Sequence, residues 1–268
     1  MQNSFGRDSE LYIKTRVADG VTVLEDSFFT APFKIAKPLY DDTGRIMNVI
    51  IMSASAGIME GDRYKINVDL GKGSKMILCG QSYAKIHRMK EGQASQYNRF
   101  HIGEGALLDF VPRPAIPFGG SRFHSALECR VEKGALFMYS EILACGREKS
   151  GESFAFGEYG NTIKIYYRDE LIFLENQYLC PQLQNLAGMG FFEGYTHQAT
   201  FSCFYDLMDE AMCNRMYGVL ESFNGIEAGL TMTHKYGVVA RILGNSSDSL
   251  ERIIDALRDL VQGDGRPC

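Results

Sequence analysis

Three carboxylates stand where a charge is hard to place. Glu141 follows Leu136-Phe137-Met138-Tyr139-Ser140 and precedes Ile142-Leu143-Ala144-Cys145, so it lies within an apolar run. Glu175 ends the run Leu171-Ile172-Phe173-Leu174, and Asp62 closes Gly57-Ile58-Met59-Glu60-Gly61. A carboxylate taken out of water must be paired, protonated or bound to a cation. Lys85, Arg88 and Arg147 are the partners in one reading; a cation-handling role is the other. Oxygen ligands dispersed along a chain suit passing contact with a divalent ion better than tight storage.

Other chemistries find less support. The five histidines, His87, His101, His124, His197 and His234, show neither H-x-x-x-H nor H-E-x-x-H spacing. Seven cysteines (Cys79, Cys129, Cys145, Cys180, Cys203, Cys213, Cys268) form no C-x-x-C pair. They argue against a disulfide framework and a tetrathiolate zinc site, and fit a reducing compartment. No G-x-x-x-x-G-K-[ST] is present, so the chain is not expected to be a P-loop nucleotidase. Gly80-Gln81-Ser82-Tyr83-Ala84 resembles a hydrolase nucleophile elbow, which makes a serine hydrolase using Ser82 a competing reading. It lacks the preceding βα units that such a fold supplies.

The elements that must position these groups are mostly strands. Tyr64, Ile66, Val68 and Leu70 alternate with Lys65, Asn67 and Asp69, the pattern of a strand buried on one face. Gly71-Lys72-Gly73 follows, then Met76-Ile77-Leu78-Cys79, which reads as a tight reversal into a partner strand. This layout recurs at Ile102-Gly103-Glu104-Gly105-Ala106 and Val131-Glu132-Lys133-Gly134-Ala135, with Gly73, Gly105 and Gly134 spaced 32 and 29 residues apart. Stacked layers of strands and the hairpins of a β-sandwich both produce such a pattern. Arg168-Asp169-Glu170 reads as a turn between two further strands.

From about residue 206, Leu207, Met208, Ala211, Met212, Val219, Leu220 and Phe223 take helical spacing, stopped by Asn224-Gly225. In a second helix Leu250, Ile253, Ile254, Leu257, Leu260 and Val261 form one face, with Asp248 as N-cap and Glu251 three residues on. Residues 231–243, between the helices, read as extended. The expected fold is mainly β, stacked sheets with C-terminal helices. One domain over residues 1–268 is expected, mostly β to about 205.

Composition narrows the function. The 268 residues carry a net charge of −5 and no run of Lys/Arg, against the basic stripe that nucleic acid requires. No apolar stretch approaches the ~20 residues that span a bilayer, and the polar first ten residues hold no signal-peptide core. Cytoplasmic location is expected, with neither membrane nor nucleic acid as partner. Tryptophan is absent, against 14 Tyr and 17 Phe.

Four stretches in order resemble one family: Ser55-Ala56-Gly57-Ile58-Met59-Glu60-Gly61-Asp62, Gln81-Ser82-Tyr83-Ala84-Lys85-Ile86-His87-Arg88, Leu108-Asp109-Phe110-Val111-Pro112-Arg113-Pro114-Ala115-Ile116-Pro117-Phe118, and Glu141 through Gly146-Arg147 to Gly151-Glu152-Ser153-Phe154. The family is that of the urease accessory protein UreD, called UreH in Helicobacter-type bacteria. The resemblance runs from Phe28 to the last helix. It implies a β-helix-like stack of sheets and a non-enzymatic chaperone of urease maturation. Such a protein docks on apo-urease, binds UreF and through it the GTPase UreG, and conducts nickel to the urease active site. It holds no tight cofactor, only nickel in transit, and a dimer of heterodimers with UreF is implied.

Carried onto this chain, the resemblance makes Asp62, Glu141 and Glu175 the lining of a nickel tunnel. Lys85, Arg88, Arg147 and Glu152 would organise the interior through charge-assisted hydrogen bonds. Departures are Ser55, Ala56 and Glu60 in place of a proline and glycines, Ala84 for a hydroxyl residue, and His87 for an aromatic such as tyrosine. The His87 imidazole could add a nickel ligand. Relatives commonly carry a tryptophan in the last helix, where this chain has residues 257–260. Met208, Met212 and Met216, and Phe191-Phe192 with Tyr195, are candidates either for a UreF contact or for core. A passive β-helical binding module with no metal role is the third reading.

Overall fold

The computed structural model describes residues 8–263; Cys268 and residues 1–7 lie outside the described residues. An antiparallel pair, β1 (Asp8–Ala18) and β2 (Val21–Phe29), opens the chain. Short strands β3 (Phe33–Ile35) and β4 (Leu39–Tyr40) both pair with β5 (Met47–Ser53). Three coils follow: β6 (Arg63–Leu70), β7 (Lys75–Gly80) and β8 (Ala84–Ile86); β9 (Ala94–Ile102), β10 (Leu107–Val111) and β11 (Ala115–Pro117); β12 (Arg122–Val131) and β13 (Leu136–Ala144). The hairpin β14 (Glu158–Tyr167) and β15 (Glu170–Leu179) turns at Arg168-Asp169, as the sequence predicts. Last come β16 (His197–Phe204), α1 (Glu210–Glu221), β17 (Glu227–Met232), β18 (Gly237–Gly244) and α2 (Ser247–Gln262).

These strands form two sheets. One has the order β15-β14-β12-β9-β6-β1-β2, and the other runs β17-β18-β16-β13-β10-β7-β5-β3 with the shorter strands alongside. Strand β6 lies in the first and β7 in the second, so Gly71-Lys72-Gly73 is a corner between sheets and not the hairpin reversal that its local pattern suggests. Leu70 pairs in parallel with Ile102, and Ile102 with Val131. The spacing of about 30 residues is therefore one coil of a stacked, solenoid-like array.

The corners bond between layers. Gly73 N–H donates to the Glu104 carbonyl (2.9 Å) and Gly105 N–H to the Lys133 carbonyl (3.0 Å). A Cβ at Gly71 would lie 2.5 Å from the Thr15 carbonyl oxygen, so close stacking requires glycine there. A hairpin and a corner use the same residues; the partner of the backbone N–H decides which one forms.

Strand β13 serves two cores because its side chains alternate faces. Phe137, Tyr139 and Leu143 pack between the sheets with Leu11, Val68, Phe100 and Leu108. Met138 and Ile142 pack outward with Phe201, Val238, Leu250, Ile253 and Leu257. Met216 and Phe192 are fully buried and Met208 and Met212 half-buried, so both candidate contact clusters contribute to packing. The N-cap of α2 is Ser246 and not Asp248, which sits in the first turn and pairs with Arg252 (2.6 Å). A carboxylate there still faces the positive end of the helix. The extended segment 231–243 is broken by a turn in which Tyr236 has φ of 55°.

Candidate functional site

Strand register builds a polar row across the inner face of the seven-stranded sheet. Ser9, Tyr64, Gln96, Ser125, Asn161 and Gln177 stand opposite one another on β1, β6, β9, β12, β14 and β15. The rows on either side are largely apolar, Ala94-Phe123-Tyr159-Leu179 on one and Leu11-Ile66-Asn98-Leu127-Ile163-Glu175 on the other. The facing sheet answers with Glu141, Thr200 and Arg241, aligned across β13, β16 and β18.

Hydrogen bonds join the two faces. Ser125 Oγ donates to Asn161 Oδ1 (2.6 Å), and Asn161 Nδ2 donates to Glu141 Oε2 (2.6 Å). The Tyr139 hydroxyl donates to the same Glu141 oxygen (2.8 Å). Gln177 Nε2 donates to Gln198 Oε1 (3.0 Å), and Arg241 Nη2 reaches Glu175 Oε1 (2.8 Å). Cavities mark the row: one of about 290 Å³ touches Tyr64, Lys85 and Gln96, one of about 80 Å³ touches Gln96, Ser125 and Glu141, and a groove of about 520 Å³ touches Glu175, Gln177 and Arg241.

Burial pushes the Glu141 carboxyl up to about 7; the Tyr139 and Asn161 hydrogen bonds oppose the shift, and the nearby Glu175 charge adds to it. The nearest hydrogen-bond donors are neutral, so an ionised Glu141 lacks a full counter-charge. Glu175 has Oε2 buried with no hydrogen-bond partner among the described residues.

Asp62 does not join Glu141 and Glu175. Its Oδ2 accepts from Met59 N–H (2.8 Å) and the Tyr64 hydroxyl (2.9 Å), so it fixes the turn and holds Tyr64 in the row. His87 lies off the row: its Nε2 is 3.2 Å from the Ala56 carbonyl oxygen and its ring packs edge-on against Phe118. Gly57, at φ 155°, leaves room for that ring, since a Cβ there would lie 2.7 Å from it. Among the described residues, no group of three His, Cys, Asp or Glu is placed to hold a metal.

Lys85, Arg88 and Arg147 are exposed and Glu152 half-buried, which corrects the expectation that they organise the interior. Arg147 pairs with Glu152 and lies 4.2 Å over the Phe118 ring. That guanidinium, with Gly119 N–H, draws the Glu152 carboxyl down to about 2. In β8, Lys85 alternates with inward Ile86 and its charge remains in water. The interior carboxylates take Tyr139, Asn161, Tyr64 and Arg241 as partners instead. Ser82 is exposed, and strand β8 follows it where a nucleophile elbow requires a helix.

Residues 7–267 match the UreD urease accessory protein family. The chain belongs to this family. It is 56% identical to "Urease accessory protein UreD" of Acetivibrio thermocellus over 97% of its own length and all of the relative's. It is 34% identical to "Urease accessory protein UreH" of Helicobacter hepaticus, covering 97% of this chain and 99% of that one. A Lachnoclostridium phytofermentans UreD is 29% identical over 94% and 92%.

In this UreD-family chain a fourth interior carboxylate is easily overlooked. Asp109, 1% exposed, accepts from Arg258 Nη2 (2.6 Å) and Nε (2.9 Å) and from Gln262 (2.9 Å). It sits among Leu107, Leu108, Phe110 and Val111, the same apolar flanking that singles out Glu141. No helix of the described residues is long and apolar enough to cross a membrane.

Proposed function

We propose that this UreD-family chain is a cytoplasmic scaffold of urease maturation that docks on apo-urease, binds UreF and through it UreG, and conducts nickel toward the urease active site. The polar row from Tyr64 to Gln177 against Glu141 and Arg241 carries this reading. Amide, hydroxyl and carboxylate oxygens can each replace part of the hydration of a divalent ion, while thiolates and imidazoles, the tight nickel ligands, are not part of the row. Glu141 supplies attraction at mid-path, Glu175 at the groove, and Asp62 acts through Tyr64. The assembly with UreF is taken as a dimer of heterodimers.

The test reconstitutes apo-urease with UreF, UreG, GTP, nickel and this chain, and measures nickel per urease site. Glu175→Ala and Asn161→Leu should each lower loading at least tenfold while the complex still co-elutes. Unchanged loading in an intact complex would leave a passive β-helical binding module.

A further inference from the structure

The end of the polar row at β15 is closed by side chains. Strand β15 is the outer strand of its sheet. Among the described residues, three hydrogen-bonded pairs join it to the facing sheet: Glu170 with Lys235, Glu175 with Arg241, and Gln177 with Gln198. Between the first two pairs Phe173 packs on Phe204, with ring centroids 5.3 Å apart, which makes that stretch apolar. The groove of about 520 Å³ therefore leads inward at the level of Glu175 and Gln177.

The two members of the ion pair there differ in freedom. The Glu175 side chain is 12% exposed and that of Arg241 56%. Glu175 Oε1 takes the guanidinium at 2.8 Å, while Oε2 is buried with no hydrogen-bond partner among the described residues. A half-exposed arginine exchanges between a paired and a solvated position at little cost, whereas the carboxylate is held between the sheets. Arg241 and Glu175 push the Glu141 carboxyl in opposite directions, so the pair stands within electrostatic reach of the middle of the row. A positive group fixed in a narrow mouth is a barrier to other cations.

We propose that Arg241 gates this end of the row. Its guanidinium, tethered to β18, occupies the position of a cation at Glu175, and a divalent ion enters or leaves there by displacing it. Competition of this kind keeps free ions out and stops an arriving ion from being retained. The inference deepens the maturation reading and rests on it, since that reading supplies the cation.

The test dialyses the full chain, without partners, against dilute nickel. Arg241→Ala should retain several-fold more nickel than the unaltered chain, and Arg241→Lys should stay close to it. Guanidinium ion added to Arg241→Ala, far below denaturing concentration, should drive the extra nickel off, whereas sodium chloride of equal ionic strength should not. An arginine with a merely structural role would not be replaced in this way. Glu175→Gln in the Arg241→Ala background should abolish the gain. Unchanged retention in Arg241→Ala, extra nickel that survives Glu175→Gln, or displacement by sodium as effective as by guanidinium overturns the proposal. Arg241 is half-exposed, so its variants keep the fold, which a melting curve verifies. Dialysis involves no partner, so failure of the gate is read separately from failure of delivery, which urease loading with Glu175→Ala reports.

Discussion

Asp109 and Glu141 lie on strands of one sheet and face opposite ways, and the protein treats them differently. Asp109 faces α2, where Arg258 and Gln262 satisfy it. Glu141 faces the other sheet and receives hydrogen bonds from the neutral donors Tyr139 and Asn161. A guanidinium on Asp109 cancels its charge and docks the C-terminal helix. Neutral donors orient Glu141, and the Arg241 charge offsets its own only in part. The contrast separates a carboxylate that holds the fold together from one suited to meet a cation.

Arg258→Met should break the comparison most severely. It takes the guanidinium away from a buried carboxylate, and about 3–5 kcal/mol of stability should be lost in chemical denaturation. Pairing it with Asp109→Asn should recover much of that loss; strict additivity would show that the two residues are not coupled.

Glu141→Gln should move stability the other way. The unfolded carboxyl releases its proton near 4.5 and the folded one near 7. Between these values the folded state binds more protons, so stability falls as pH rises through the interval. Above pH 7 the accumulated cost is on the order of 3 kcal/mol. The Gln variant should be more stable at pH 8 and lose this pH slope in melting experiments, yet load less nickel into urease. A pH slope unchanged from wild type would show that Glu141 is not the buried titrating group.

Smaller effects sharpen the contrast at the edges. Arg241 is half-exposed, so Arg241→Ala should cost about 1 kcal/mol or less. It should raise nickel retention at Glu175 several-fold in equilibrium dialysis, because the competing cation is gone. Arg147→Ala, on an exposed pair with Glu152, should produce the smallest effect: a slight drop in melting temperature that high salt erases, with nickel loading unchanged.

Much of the fold is legible in the chain because strand alternation, the recurring glycine corners and the apolar stripe of α2 are local patterns. The apolar flanks of Glu141 mark it without further help, and Asp109 carries the same mark. What the chain conceals is partnership. Arg258 lies 149 residues from Asp109 and Asn161 lies 20 from Glu141, while the nearby-looking cations Lys85, Arg88 and Arg147 stay in solvent. The polar row is also invisible in any single strand. It exists because the register brings one polar inward position per strand to the same level.

The sequence by itself determined the period of the coils, the strand and helix types, and the apolar flanks that mark Glu141 and Asp109. Only the tertiary structure decided that the glycine turns are corners between sheets, that Asp62 accepts from the Tyr64 hydroxyl, and which carboxylate receives a counter-charge. The reason is range: side-chain alternation and helical spacing act over a few residues, whereas the partner of a buried charge is set by contacts between segments far apart in the chain.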